Sequence, residues 1–220
     1  MTSEKTSKAN FPKEQYYQVP QGIRPTQIVL HHTVSNGEAK AVEDWWCMDD
    51  HSDGNDIVAT PYIIEKDGEV VELYDPQYGW AYHTGKYVAK DKFAIGIEII
   101  NAGPLVARDG KYFWWNGTKE YIGPVHRAGK AWRTTNLYWA GYTEEQYIHV
   151  ANLCKDLCER FSIPKTVVSN FTYDITKYHV DVFKGIISHH NIRSDKTDLS
   201  PAWDFAKFTA LLNSPRKTDM

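Results

Sequence analysis

Gln27-Ile-Val-Leu-His-His32 runs directly into Thr33-Val-Ser-Asn-Gly37. A short apolar, β-rich run closed by a turn-forming cluster reads as a buried strand feeding a loop, with a histidine pair at the point of exit. The same arrangement recurs near the other end, where Gly185-Ile-Ile-Ser188 leads into His189-His190. Between them, Tyr62-Ile-Ile-Glu-Lys-Asp-Gly-Glu-Val-Val-Glu-Leu73 places two β-rich runs around Asp67-Gly68, a strong hairpin signal. Residues 93–100 form a further strand in which Ile95, Ile97 and Ile99 alternate with Ala94, Gly96 and Glu98. Helical spacing places one helix over residues 39–49, with Val42, Trp45, Trp46 and Cys47. A second helix opens on the capping box Thr143-Glu-Glu-Gln146. Its apolar stripe is Tyr147, Val150, Ala151, Cys154, Leu157, Cys158 and Phe161, and it stops before Pro164. A last helix is expected over residues 201–212. The order βαβββ, insertion, α, β, α predicts an α/β fold: a single domain with a mixed central β-sheet flanked by helices.

Residues 1–22 read as a polar arm whose Phe11, Tyr16 and Tyr17 lie on the body; residues 23–213 form the domain, and 214–220 a tail. Within the domain, residues 101–142 read as an aromatic, loop-rich insertion, with Arg108-Asp-Gly-Lys111 marking a second hairpin and Trp114, Trp115, Trp132, Tyr138 and Trp139 supplying cover for the sheet or a stacking platform. With 42% hydrophobic residues in 220, the chain can bury a substantial core, so wholesale disorder is excluded. A net charge of −3 argues against a dedicated nucleic-acid binder, and no apolar run reaches the ~18–20 residues that span a bilayer. Met1–Asn10 is polar and lysine-bearing, so a protein made in the cytoplasm without a signal peptide is expected. Three cysteines cannot form a disulfide scaffold; Cys154 and Cys158, four apart on the apolar helix face, read as buried free thiols.

Nine histidines make chemistry the question. Nine residues after His189 stands Asp198, in Lys196-Thr-Asp198. Two imidazoles and a carboxylate form an ordinary catalytic zinc shell with a fourth position open to water. A His-His dipeptide at a strand end is as readily structural, and spacing alone leaves the two readings balanced. No His-Glu-x-x-His, Cys-x-x-Cys, phosphate-binding glycine loop or Gly-x-Ser-x-Gly elbow offers a competing chemistry.

Ile28-Val-Leu-His-His-Thr-Val34, Tyr62-Ile-Ile-Glu-Lys-Asp-Gly68, Trp80-Ala-Tyr-His-Thr-Gly85, Ala94-Ile-Gly-Ile-Glu98, and His189 with Lys196-Thr-Asp198 occur in the order of the landmarks of the zinc-dependent N-acetylmuramoyl-L-alanine amidases. The chain resembles this type-2 amidase family, which includes phage endolysins, the muropeptide-recycling amidase and peptidoglycan recognition proteins. The resemblance covers residues 23–212 and implies a mixed sheet carrying a Zn²⁺ site in a groove that binds peptidoglycan. Carried over residue by residue, it makes His31, His189 and Asp198 the metal ligands. Lys196 becomes the group that stabilises the oxyanion, and Glu98 the catalytic glutamate of the recycling branch. The branch that uses a tyrosine ahead of the second hairpin would need it at Thr60, where it is absent. His83 and Trp80 take substrate-binding places beside the cleft, and His32 and His190 supporting ones. One departure stands out: the family's Pro-Gly-Pro after the aspartate is Leu199-Ser200-Pro201 here. The expectation is a monomeric amidase that acts on peptidoglycan (muramyl-peptide) in the bacterial cell wall, most like a phage or prophage endolysin, with no nucleic-acid or membrane partner.

Overall fold

The computed structural model describes residues 6–35, 37–48, 57–85 and 88–215. The opening five residues, Lys86 and the end of the tail lie outside the described residues, with whatever the sequence reading placed on them. Along the chain come β1 (Thr6–Lys8), β2 (Tyr17–Gln18), β3 (Gln27–His32), α1 (Ala39–Cys47), β4 (Tyr62–Ile64), β5 (Val70–Glu72), β6 (Gly79–Trp80) and β7 (Ala94–Ile99). The insertion holds β8 (Pro104–Arg108), β9 (Lys111–Trp114), β10 (Glu120–Tyr121), β11 (Val125–Arg127) and β12 (Tyr138–Ala140). Then follow α2 (Glu144–Phe161), α3 (Ile175–Tyr178), β13 (Gly185–Ser188), α4 (His189–Ile192) and α5 (Phe205–Asn213).

The central sheet has six strands in the order β1-β5-β4-β7-β3-β13. Only the β4–β5 hairpin is antiparallel; β4, β7, β3 and β13 all run the same way, so their carboxyl ends share one rim. Because side chains alternate across a strand, each strand divides its residues between two layers. Ile28 and Leu30, Tyr62 and Ile64, Ile95, Ile97 and Ile99, and Ile186 face α2 and α5, where they meet Tyr147, Val150, Cys154, Leu157, Phe208 and Leu212. The opposite face splits into two apolar patches. Ile63 packs with Ala39 and Trp46 of α1, while Val29 and Ile187 pack with Ile192 of α4 and Ile175 of α3. His31 and Glu98 occupy this second face between the patches. Each fully buried isoleucine contributes roughly 1.5–3 kcal/mol of transfer free energy.

Local chemistry ends the elements where the sequence places its signals. Asp67-Gly68 closes the β4–β5 hairpin, with Gly68 at φ +86, and Asp109 and Gly110 (φ +52 and +72) close β8–β9 as the twist-matched turn that needs two positive φ angles. Thr143 and Gln146 form the reciprocal capping box, each backbone N–H donating to the other's side chain at 3.1 Å. Cys154 and Cys158 are buried free thiols.

Three expectations are refined. The arm is woven into the fold: β1 extends the central sheet beside β5, and Phe11 is buried beside Tyr74. The insertion, loop-rich as expected, is organised on an antiparallel sheet of its own, ordered β10-β9-β8-β12-β11. Its strands are two to five residues long, too short to show a period of two in the sequence. The last helix begins at Phe205 rather than 201, because Asp204 caps it by accepting the Lys207 N–H at 2.9 Å.

Thr143→Ala removes the cap of α2 and is expected to lower stability by about 1 kcal/mol, read as a lower denaturation midpoint with an unchanged slope. Gly96→Ala is expected to cost more, about 1–3 kcal/mol by the same measurement, because the added methyl carbon meets Thr60 Cγ2 at 2.6 Å and His83 Cγ at 3.1 Å.

Candidate metal centre

The parallel register sets the level of every candidate group. On the rim, His31 of β3 is the Cα partner of Glu98 on β7, and Ser188 of β13 is that of Leu30. His189, one residue past Ser188, therefore emerges at the level of His31. Three neighbouring strands thus deliver two imidazoles and a carboxylate side by side, with His31 and His189 ring centroids 4.6 Å apart. Asp198 arrives from the turn after α4, its Oδ2 lying 3.2 Å from His189 Nδ1. Among the described residues, the donor atoms of His31, His189 and Asp198 lie within 4.8 Å of one another, and all three residues are buried. They line a cleft of about 390 Å³ together with His83, Glu98 and Lys196.

The second histidine of each pair holds Asp198 rather than joining the donor set. The backbone N–H of His32 donates to Asp198 Oδ1 at 3.0 Å, and its ring lies across the sheet against Tyr142 Oη (3.1 Å) and Thr197 Oγ1 (3.2 Å). The backbone N–H of His190 donates to the Asp198 carbonyl at 2.9 Å, and its Nδ1 meets the same oxygen. His190 Nε2 reaches the Asn170 carbonyl at 3.0 Å. On the extended β3, neighbours His31 and His32 point apart, while His189 and His190 open helix α4, where consecutive side chains leave about 100° apart. In each pair the first ring joins the donor set and the second supports Asp198.

Electrostatics sort the groups by role. Burial, followed by the neighbouring His189 and His83, holds the His31 imidazole well below its ordinary value, so it is neutral. Burial likewise lowers His32 and His83, and pushes His190 down to about 4. For Asp198, burial would raise the pKa, but the neighbouring His32, His189 and His31 rings outweigh it, so the carboxylate stays ionised far below its usual range. Glu98 behaves oppositely: burial, reinforced by the Asp198 charge, pushes it well above the ordinary carboxyl value, with Lys196 opposing. Two carboxyl groups in one cleft are thus driven apart, one held as the anion and the other with its proton affinity raised by burial.

The donor set fits a zinc ion. His189 Nε2 faces the Thr84 carbonyl at 3.3 Å, an acceptor, so Nε2 carries the hydrogen and Nδ1 turns its lone pair toward Asp198. Two acceptor atoms facing each other at 3.2 Å repel unless a cation lies between them. That separation matches the edge of a tetrahedron with ligands at about 2.0–2.1 Å, roughly 3.3 Å. His31 Nε2 meets His83 Nδ1 at 3.0 Å, which leaves Nδ1 of His31 as its ligating side.

Trp80 is not brought into this set. It lies three residues from His83 on an extended stretch, so the two side chains leave on opposite faces. Its indole packs on Tyr17 and Tyr82 with ring centroids 4.8 and 5.1 Å away, and Nε1 donates to the Gln18 carbonyl at 3.1 Å. Its place is under the arm. Thr60 is buried, with its methyl group over Gly96 and its hydroxyl donating to the Tyr62 carbonyl at 3.0 Å. Sequence reasoning also passed over Asp91. This buried carboxylate accepts the backbone N–H groups of His83 (2.9 Å) and Thr84 (3.2 Å) and the Thr84 hydroxyl, and so fixes the strip that carries His83 and the Thr84 carbonyl. Its only signal was an aspartate among the lysines of residues 86–92, which reads as a solvated face.

Comparison with known proteins adds the following. The chain shares its fold with a structure of a selenomethionine AmpD derivative (18% identity, 95% of each chain covered, TM-score 0.57). It also shares it with the N-acetylmuramoyl-L-alanine amidase LysC from Clostridium intestinale URNW (15% identity, 96% of this chain and 99% of that one, TM-score 0.52). A third likeness is to AmiD from E. coli, solved with anhydro-N-acetylmuramic acid-L-Ala-D-γ-Glu-L-Lys (16% identity, 87% of this chain and 60% of that one, TM-score 0.52). A search of curated proteins finds no match. The family model described as N-acetylmuramoyl-L-alanine amidase (Amidase_2) matches residues 21–201, a span that takes in every strand of the central sheet except β1 and all three candidate ligands. The chain belongs to the N-acetylmuramoyl-L-alanine amidase family, a class of hydrolases acting on the amide between a muramoyl group and L-alanine.

Proposed function

We propose that this protein is a zinc-dependent peptidoglycan amidase that cuts the bond between N-acetylmuramic acid and the L-alanine of the stem peptide, acting on intact wall in the manner of an endolysin. The observation that carries this reading is the convergence of His31, His189 and Asp198 beside a buried Glu98 in one cleft. His31, His189 and Asp198 would hold the ion. Zinc, when bound, supplies Lewis-acid chemistry: it brings the pKa of water toward roughly 7 and polarises a carbonyl oxygen.

The chain's own groups do the rest. Glu98, its proton affinity raised by burial, accepts the proton of the attacking water and passes it to the amide nitrogen as the bond to L-alanine breaks. Lys196 lines the same cleft and faces the oxygen that becomes negative during attack. His83, held by Asp91, orients His31 through the contact of their rings. Asp198 stays anionic throughout. A purely binding module has no use for a carboxyl group made basic by burial, and the full set of groups therefore supports turnover over sequestration. The arrangement also serves a recycling amidase, which would act on soluble anhydro-muropeptides in preference to intact sacculi.

His31→Ala, His189→Ala and Asp198→Ala are each expected to lose bound zinc, measured by elemental analysis, and hydrolysis together. Full activity in any one of them would move the metal elsewhere. Glu98→Gln is expected to keep zinc and lose turnover by at least ~10²-fold, since proton transfer from a placed side chain supplies about 10²–10⁴. Mass spectrometry of purified sacculi digested by the protein should show stem peptides beginning with L-alanine and unbroken glycan strands, abolished by a chelator and restored by zinc. Release from anhydro-muropeptide alone would make it a recycling enzyme; binding to sacculi without any release would make it a binder.

A further inference from the structure

The insertion reaches the metal centre through one residue. The β11–β12 pair is closed at its neck by the Ala128 N–H donating to the Leu137 carbonyl at 2.8 Å, and the loop beyond it crosses to the turn that carries Lys196 and Asp198. There Arg133 Nη1 donates to the carbonyls of Arg193 (2.7 Å) and Lys196 (2.5 Å), and Nη2 to that of His190 (3.1 Å). Arg193 caps the carboxyl end of α4 and His190 belongs to its single turn, whose carbonyls lack partners within so short a helix. Trp132 seats the loop: its indole meets the rings of His190 edge-on at 5.2 Å and Phe171 at 5.3 Å, and the Arg133 guanidinium lies 5.0 Å from the same indole. Arg133 itself sits at φ +54, a backbone region seldom occupied by residues other than glycine and asparagine. A planar guanidinium with several N–H groups can serve all of these acceptors at once; an ammonium on a flexible stem cannot hold them in a fixed plane.

The geometry points to Arg133 as a positioning residue for the amidase reaction: by tying together the carbonyls of His190, Arg193 and Lys196, it sets where the Lys196 side chain stands in the cleft. This rests on the functional reading above. It makes the insertion part of the active centre, acting through the backbone of the 190–196 turn and touching no substrate. The 190–193 end of the turn is anchored by the His190 N–H to the Asp198 carbonyl (2.9 Å), the Arg193 N–H to the His189 carbonyl (3.0 Å) and the Asp174 N–H to the Asn191 carbonyl (2.9 Å). Toward Lys196 it carries the longer Lys196 N–H to Arg193 carbonyl bond at 3.5 Å, which is where Arg133 adds its contacts.

The test compares wild type, Arg133→Ala, Arg133→Lys, Lys196→Ala and the double variant Arg133→Ala/Lys196→Ala, all zinc-loaded, by steady-state hydrolysis of a soluble muramoyl-peptide. Amide hydrogen exchange is followed on the same samples. Arg133→Ala is expected to lower kcat by about 10- to 100-fold with KM within about twofold, the scale of a misplacement near 1 Å. Arg133→Lys should recover the melting temperature but not kcat, because charge without the planar fork does not fix the turn. In the Lys196→Ala background the Arg133 substitution should cost less than about threefold more, because the residue through which it acts is gone. Amides of 190–197 should exchange faster in Arg133→Ala while those of β3 and β7 do not change. Independent, multiplying losses in the double variant, or unchanged exchange in 190–197, would overturn the proposal. A wild type that cleaves no muramoyl-peptide would instead overturn the amidase reading, and the exchange measurement would still decide whether Arg133 holds the turn.

Discussion

Parallel pairing of β13, β3 and β7 is the constraint on which the rest depends. Parallel ladders align carboxyl ends, and the register that places Ser188 beside Leu30 and His31 beside Glu98 is set by isoleucines and leucines that must all face α2 and α5. A one-residue slip of β3 would turn His31 into the apolar layer and expose Leu30 to the cleft. The hydrophobic core and the chemistry are therefore specified by the same alternation, and the core, having many more contacts, decides it. Gly96 completes the arrangement by clearing the space that Thr60 and His83 occupy.

Given that register, a supporting layer holds Asp198 and the strip that carries His83 and Thr84. Asp198 is gripped at its carboxylate by the His32 backbone and at its carbonyl by His190, so both second histidines converge on the one candidate ligand that does not come from the central sheet or its immediate end. Asp91 does the corresponding work for His83 and Thr84. Such a layer orients ligands and fixes which ring nitrogen carries hydrogen, and its loss typically weakens metal sites by 10- to 100-fold. The contrast between an Asp198 kept anionic and a Glu98 kept basic arises from their surroundings: the His32 backbone N–H donates to the first and imidazoles stand around it, and burial beside another anion dominates the second.

The insertion shows how a segment with little sheet of its own can serve a site. Its antiparallel strands are short, yet they present Trp132 and Arg133 to the turn after α4. The aromatic residues that made this stretch hard to read in the sequence divide between cover for its own small core, as with Tyr112 and Tyr138, and a seat on His190 and Phe171.

Much of this was legible in the residues themselves. Strand and helix positions followed from the isoleucine alternation of β7, the Asp-Gly turns and the capping box at Thr143, because these depend on neighbours within a few positions. The histidine pairs and the Asp198 downstream of them stood out as candidates because they fall where strands give way to loops, and the resemblance to the amidase family added Glu98 and Lys196. Four things required the tertiary structure. The arm's role as an edge strand depends on an unpaired β5 that no local pattern announces. The resemblance gave Trp80 a place beside the cleft with His83, whereas the alternation of an extended chain sends the two to opposite faces and Trp80 packs on Tyr17 and Tyr82. Asp91 and Arg133 carry no motif, because their work is done toward backbone groups, and a backbone carbonyl looks the same in every residue. What the sequence alone determined was the identity of the candidate groups and the strands that bear them; which of them meet, and what holds them, was decided by a register and a set of long-range hydrogen bonds that exist only once the sheet has formed.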